Sequence, residues 1–327
     1  MTIGLLGDVM LGRTVAERLA RDPAAEVWSP QVREVCRACD ALVLNLECCV
    51  SARGARTSLI AGKPFFFRAP PAGVEALRAI GAGVAGIANN HTLDFGVDAL
   101  ADTLSHLEAA GIPSVGAGLD IERARQGAVV QAGGSRLGVL AMSDHPSEFA
   151  SAPGRPGIAH AALRRGLPDW ITDELARLRD EADYVIAFPH WGPNMSPTPA
   201  GWQRERAHEL LAAGADAVAG HSAHVFHGVE LNPRGLVLYD LGDALDDYAI
   251  DPALRNDLGV LALWRPRSRL ELVGLHLDFC RTDLAAGKDA DWIAARLERA
   301  CGELGTAVRR LDEARFAIGD ADVCPLP

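Results

Sequence analysis

Ala215-Asp216-Ala217-Val218-Ala219 runs directly into Gly220-His221-Ser222-Ala223-His224. The mostly apolar first half reads as a strand and the polar second half as the loop leaving it, so two imidazoles emerge from one strand end within three residues of each other. Four other stretches repeat this arrangement. Gly7-Asp8 follows Ile3 to Leu6, Asn45-Leu46-Glu47 follows Ala41 to Leu44, Asn89-Asn90-His91 follows Val84 to Ala88, and His190-Trp191-Gly192 follows Tyr184 to Phe188. Five strand ends thus carry polar side chains of one chemical kind.

Between these strands the periodicity is helical. Pro71 to Ile80, Phe95 to Ala110, Asp169 to Arg179 and Trp202 to Ala213 read as helices, and Leu100, Leu104 and Leu107 lie on one face of the second, which Gly111-Ile112-Pro113 ends. Another helix starts at Ser29-Pro30. Alternating strands and helices predict an α/β protein with mixed sheets flanked by helices. Gly133-Gly134 between Val129-Val130 and Leu137 to Met142 predicts a hairpin. After His224 the stretches Val229 to Leu231, Leu236 to Tyr239, Val260 to Trp264 and Leu270 to Leu277 follow one another as strands joined by turns, which predicts a second, antiparallel sheet in the C-terminal half. Asp291 to Leu304, at the centre of a C-terminal helix spanning about 289–307, is expected to pack across the outside. No linker or repeat divides the chain, so residues 1–327 are read as one domain.

Bulk properties narrow the function classes. At 327 residues and 49% hydrophobic content the chain can bury a sizeable core, and its formal charge of −11 disfavours a nucleic-acid or anionic-membrane surface. A peptide or small molecule is the expected partner. The sequence enters an apolar strand within two residues of Met1 with no basic leader, and no apolar run nears the roughly 20 residues of a membrane helix, so a cytoplasmic protein is expected. Seven cysteines, an odd number with Cys48 and Cys49 adjacent, argue for reduced thiols, and Cys36-x-x-Cys39 reads as two small residues on a helix because no second pair follows.

Ligands of parallel sheets collect where the carboxyl ends of the strands converge. Asp8, Glu47, Asn90, His190, His221 and His224 are all expected there, and carboxylates, an amide oxygen and imidazoles suit one or two divalent ions such as manganese, zinc or iron. In that reading Glu47 bridges two ions, the metal activates water, and His91 donates a proton to the leaving group. Taken singly, each cluster also has a purely structural reading as a turn or a cap. Their joint occurrence in a chain with ten histidines points to a site.

Gly7-Asp8-Val9-Met10-Leu11-Gly12-Arg13, Asn45-Leu46-Glu47, Ala88 to Gly96, His190-Trp191-Gly192 and Gly220-His221-x-x-His224 together resemble the capsule-biosynthesis family of CapA type, associated with poly-γ-glutamate. The resemblance spans most of the chain to residue 247 and implies a calcineurin-like metallophosphatase fold of four layers. It places Asp8, Glu47, Asn90, His190, His221 and His224 at metal-ligand positions and His91 at the catalytic histidine. Two departures stand out. Met10 occupies the histidine position of the usual Asp-x-His, and Glu47 stands where phosphatases carry Asp. The segment Tyr239-Asp240-Leu241-Gly242-Asp243 is similar to the family's Leu-Gly-Asn strand, with Asp243 in place of Asn.

Three functions follow. The first is metal-assisted hydrolysis of a phosphoester or a peptide-like amide. The second, implied by family relatives that epimerise ribosomal peptides in natural-product biosynthesis, is inversion at a Cα by Asp8 with His221 or His224 as acid and base, with metal structural or absent. The third is a non-catalytic binding protein. Arg13 reads as a carboxylate or phosphate anchor or as an ordinary ion pair, and Trp191 as the wall of a substrate groove or a core residue. Arg53, Arg56, Lys63 and Arg68 form a basic patch that would offset the acidic surface toward an anionic substrate. The irregular stretches Ser51 to Lys63 and Ser143 to Gly166 are expected to cover the site.

Overall fold

The strand that carries Asp8, Ile3–Val9, is fully buried along its length and lies in the middle of the larger of two mixed sheets. The protein is described by a computed structural model covering residues 1–22 and 25–319. On one side of Ile3–Val9 the strands Ala41–Leu46, Val84–Gly86 and Ser114–Val115 continue in parallel. On the other side Leu258–Arg265, Arg269–Leu277, Arg315–Ile318 and Val308–Arg310 follow in antiparallel succession. The second sheet has Ser135–Ser143, Tyr184–His190, Ala217–Ala219 and Gly235–Leu238 in parallel order, with antiparallel Ala128–Ala132 and Val229–Asn232 at its two edges.

Period-two alternation sorts the side chains into layers. Ile3, Leu5 and Val43 join Val139, Ile186, Phe188 and Leu238 in a core between the two sheets. Leu42, Leu44 and Leu46 face the other way, onto the helices Arg13–Arg21, Pro30–Arg37, Val74–Ala79 and Gly96–Ala109 through Val15, Val32, Leu77 and Leu100. Leu140, Val185 and Val218 similarly meet Asp169–Glu181 and Gly201–Ala212 through Leu175, Leu178 and Leu210. The result is helix, sheet, sheet, helix. At about 25 cal/mol per Å² of apolar area, these three cores are the main favourable term holding the layers together.

Local signals behave as read. Ser29 caps its helix by accepting the Val32 N–H, and the hairpin closes at Ala132 and Ser135. One long-range expectation is corrected. The strands after His224 do not form a sheet of their own. Gly235–Leu238 extends the parallel series beside Ala217–Ala219, whereas Leu258–Arg265 pairs with the open edge of Ile3–Val9. Both choices satisfy backbone groups that an isolated hairpin would leave exposed at those edges. The C-terminal helix, Gly287–Gly302, turns Ile293, Leu297 and Cys301 onto the core between the sheets and leaves Lys288, Asp291, Glu298 and Arg299 exposed.

Two glycines allow the layers to meet at the carboxyl ends. A Cβ on Gly7 would lie 1.9 Å from the Gly242 carbonyl oxygen, and one on Gly220 would lie 2.2 Å from the Tyr239 carbonyl oxygen. Without side chains at 7 and 220, the strand Asp243–Leu245 can run beside Asp8 and the His221 loop can lie against Tyr239.

Candidate active site

Asp8 is the hub. Its Oδ1 accepts the Asn45 amide at 2.6 Å and lies 3.3 Å from His221 Nδ1, while Oδ2 accepts the Ser222 backbone N–H at 3.1 Å and lies 3.6 Å from His224 Nδ1. His190, the last residue of its strand, brings Nδ1 to 2.9 Å from His221 Nδ1 and 3.9 Å from Asp8. The loop that presents both His221 and His224 has left-handed backbone at Ser222 (φ 115°) and His224 (φ 60°). Non-glycine residues hold such conformations only where their surroundings fix them, here through Asp8 and through Asp240, which accepts the Ala223 N–H at 2.9 Å.

Glu47 enters from the end of the neighbouring strand, and its Oε2 accepts the Tyr248 hydroxyl at 3.0 Å. Asn89 locks this strand end by donating to Asn45 Oδ1 at 3.1 Å and to the Leu46 carbonyl at 2.9 Å. Asp243, beside Asp8 in parallel register, accepts from His224 Nδ1 at 2.8 Å. The structure therefore offers two donor groups sharing one residue. Donor atoms of Asp8, His190 and His221 lie within 4.8 Å of one another, and so do those of Asp8, Glu47, His224 and Asp243. Met10, at the position of the missing histidine, turns into the core, where its Sδ accepts the Gly12 N–H at 2.9 Å.

The electrostatics fit a divalent cation. Burial would raise the Asp8 carboxyl, but hydrogen bonding to His221 and the charges of His221 and His224 hold it below its ordinary value. Burial and the Asp8 charge push Glu47 well above the carboxylate range, and burial likewise raises Asp243. Burial acts to lower His224, yet the carboxylates of Asp243, Glu47 and Asp8 raise it well above the usual imidazole value. His190 is held well below that value by burial and by His221. The buried atoms Glu47 Oε1, Asn90 Oδ1, His221 Nε2 and Asp243 Oδ2 have no hydrogen-bond partner. Carboxylate, amide and imidazole atoms without a hydrogen-bond partner are the donor types of an oxygen- and nitrogen-preferring metal.

Beside this cluster lies a second device. His91 donates Nδ1–H to Asp94 at 2.6 Å, Asp94 is held by the Phe67 N–H at 2.6 Å, and Lys63 Nζ lies 3.2 Å from its other oxygen. Phe67 stacks on the imidazole with ring centroids 3.8 Å apart. Burial holds His91 down to about 4, so at neutral pH the ring is uncharged and Nε2 is its proton-exchanging atom. Asp94 and Lys63 belong to the site although the strand-end pattern does not single them out; the signal for Asp94 is its spacing of three residues from His91. Asp243 and Tyr248 become visible as site residues only through the fold.

The remaining candidates separate cleanly. Asn90 accepts Lys63 at its backbone carbonyl (2.9 Å), so the stretch from Ser51 to Lys63 does close over the site, and Phe149 from the other long loop lies 5.8 Å from the same ammonium. Of the basic patch, Arg53 pairs with Asp102, Lys63 with Asp94, and Arg68 with the carbonyls of Arg53 and Gly54, while Arg56 lies over the Phe66 ring at 5.1 Å. Arg13 pairs with Asp247 at 3.2 Å among the rings of Phe65, Phe67 and Tyr248. Trp191 does not wall a groove: it is fully buried, donates its indole N–H to the Tyr239 carbonyl at 3.0 Å, and packs against Trp202. Two further histidines lie near the cluster: His145 stands 5.2 Å from the His190 ring and pairs with Asp144, whereas His227 bonds to the Ser196 carbonyl. The residues of the acid-base pair expected for Cα inversion are direct neighbours. Asp8 lies 3.3 Å from His221 Nδ1 and 3.6 Å from His224 Nδ1.

Among the described residues no helix is long and apolar enough to cross a membrane. Solved structures similar to this chain include a phosphatase of Mycoplasma pneumoniae (11% identity, TM-score 0.45, covering 84% of this chain and 86% of that one) and a NAD nucleotidase of Haemophilus influenzae (12%, TM-score 0.42, 87% and 49%). Similar sequences include a probable polyglutamine synthesis accessory protein of Mycobacterium tuberculosis, 31% identical over 94% of this chain and 93% of the relative. The PGA biosynthesis protein CapA of Bacillus subtilis is 27% identical over 76% of this chain and 63% of its own length. Residues 2–248, which carry every candidate ligand, match the bacterial capsule synthesis protein PGA_cap, and the chain belongs to that family.

Proposed function

We propose that this chain is a metal-dependent hydrolase acting on a peptide-like amide or a phosphoester. The observation that carries the reading is the sharing of Asp8 between two donor groups, beside a histidine whose tautomer is fixed. Asp8, His190, His221 and Asn90 would hold one cation, and Asp8, Glu47, His224 and Asp243 the other. A divalent ion held there would supply Lewis acidity toward the scissile carbonyl or phosphoryl oxygen and would lower the pKa of water. Asp94 keeps the proton of His91 on Nδ1, so Nε2 takes a proton from the attacking water and returns it to the leaving group. Phe67 and the Lys63 contact exclude solvent from that transfer. The names of the mycobacterial and bacillar relatives put an amide in a glutamate or glutamine chain first among substrates.

The test uses metal-reconstituted protein with glutamate and glutamine oligomers, α- and γ-linked, and an aryl phosphate, followed by mass spectrometry in deuterium oxide. Chelator-sensitive cleavage without deuterium at Cα is expected, and Asp8→Asn abolishes it. Intact substrates throughout, cleavage that survives chelation, or deuterium gained at Cα with unchanged length would each sink the proposal.

A further inference from the structure

The loss of the usual histidine at position 10 is answered elsewhere in the chain. Met10 is fully buried and its sulfur is engaged by Gly12, so that position presents nothing to the site. The strand Asp243–Leu245 runs parallel to the end of Ile3–Val9 with Asp243 opposite Asp8. It can do so because Gly7 lets the Gly242 carbonyl come close and Gly259 leaves room for the Asp243 carbonyl, 2.1 Å from where a Cβ would sit. Asp243 is 1% exposed, places Oδ1 at 2.8 Å from His224, and has the buried Asp246 carboxyl against its side chain. Glu47, also wholly buried, keeps Oε1 without a partner in the same cluster.

We propose that Asp243 is the ligand that replaces the missing imidazole, turning the Asp8, Glu47, His224, Asp243 half into a hard-cation site that takes Mn²⁺ or Mg²⁺, distinct from a zinc- or iron-type half at Asp8, His190 and His221. The inference rests on the metal-binding reading above. Three carboxylates and one imidazole are the donor set of oxygen-preferring ions, whereas one carboxylate and two imidazoles suit borderline ions. The charge balance agrees: three buried carboxylates, with Asp246 beside them, face one imidazole, and a cation would offset that excess.

Metal-free protein is loaded with one equivalent of Zn²⁺ and titrated with Mn²⁺, the free ion being followed by electron paramagnetic resonance and the bound metals by elemental analysis. The wild-type chain is expected to hold one Zn²⁺ and one Mn²⁺. Asp243→Asn, nearly isosteric, keeps Zn²⁺, which also shows that the fold is intact, and weakens Mn²⁺ by about tenfold or more. Asp243→His weakens Mn²⁺ and tightens a second Zn²⁺. Wild-type Mn²⁺ stoichiometry and affinity in Asp243→Asn would overturn this inference alone. A wild-type protein that binds neither ion would overturn both this inference and the metal-dependent function.

Discussion

Asp94 decides which nitrogen of His91 is free, because a carboxylate 2.6 Å from Nδ1 can only accept. Asp94→Asn removes that constraint and the charge behind it. Proton transfer by a positioned side chain contributes roughly 10²- to 10⁴-fold, so kcat should fall by about 10² or more while elemental analysis finds the bound metal unchanged; wild-type turnover would refute the relay. His227 makes a separate prediction about stability. Burial and the charge of Arg296 hold it down to about 4 from 6.5, against the hydrogen bond that its Nε2–H donates to the Ser196 carbonyl. Between those values the unfolded chain binds the proton and the folded one does not, so stability is complete above pH 6.5 and declines as pH falls, levelling off below about 4. From pH 7 to 5 this residue alone should cost about 2 kcal/mol. In urea titrations at the two pH values His227→Gln, which can still donate to Ser196, should lose that much less than wild type, and equal losses would count against the assignment.

At the scale of elements, the site depends on how closely Asp243–Leu245 lies against the end of Ile3–Val9. Gly7→Ala drives a methyl into the Gly242 carbonyl at 1.9 Å, a clash between backbone segments that no rotamer relieves. A loss of about 1–3 kcal/mol in chemical denaturation is expected from such overpacking, together with loss of the second bound metal. Gly134→Ala, where an added Cβ meets nothing within 4 Å, is the control and should be nearly silent. If both variants behave alike, strand proximity is not what organises the cluster. The elements themselves were legible in the sequence. Helices such as Gly96–Ala109 and the hairpin at Gly133-Gly134 follow from local periodicity and turn chemistry, and the structure moves their ends by only a few residues. Where Leu258–Arg265 pairs was not legible, because an apolar strand carries no local record of which open edge it will meet.

For the whole molecule, Asp8, Glu47, Asp240, Asp243 and Asp246 are gathered at 6% exposure or less, and a cation bound among them would offset part of the cost of burying their charge. Binding to the folded state alone adds about 2.7 kcal/mol at a ligand concentration of 100 times Kd. Thermal melts in Mn²⁺ and in chelator should therefore differ by several degrees, with the metal-loaded protein higher, and coincident melts would show that the carboxylates are neutralised another way. Sequence by itself determined the strand-end chemistry. Asp8, Glu47, Asn90, His190, His221 and His224 each follow a short apolar run, and parallel strands deliver their carboxyl ends to one side. Only the tertiary structure decided the rest. It put Trp191 in the core, separated His227 from His224, joined His91 to Asp94 and Lys63, and set Asp243 beside Asp8 across 235 residues of chain. The first set is written in local periodicity; the second depends on which strands pair and which backbones can approach, and that is fixed only when distant segments meet.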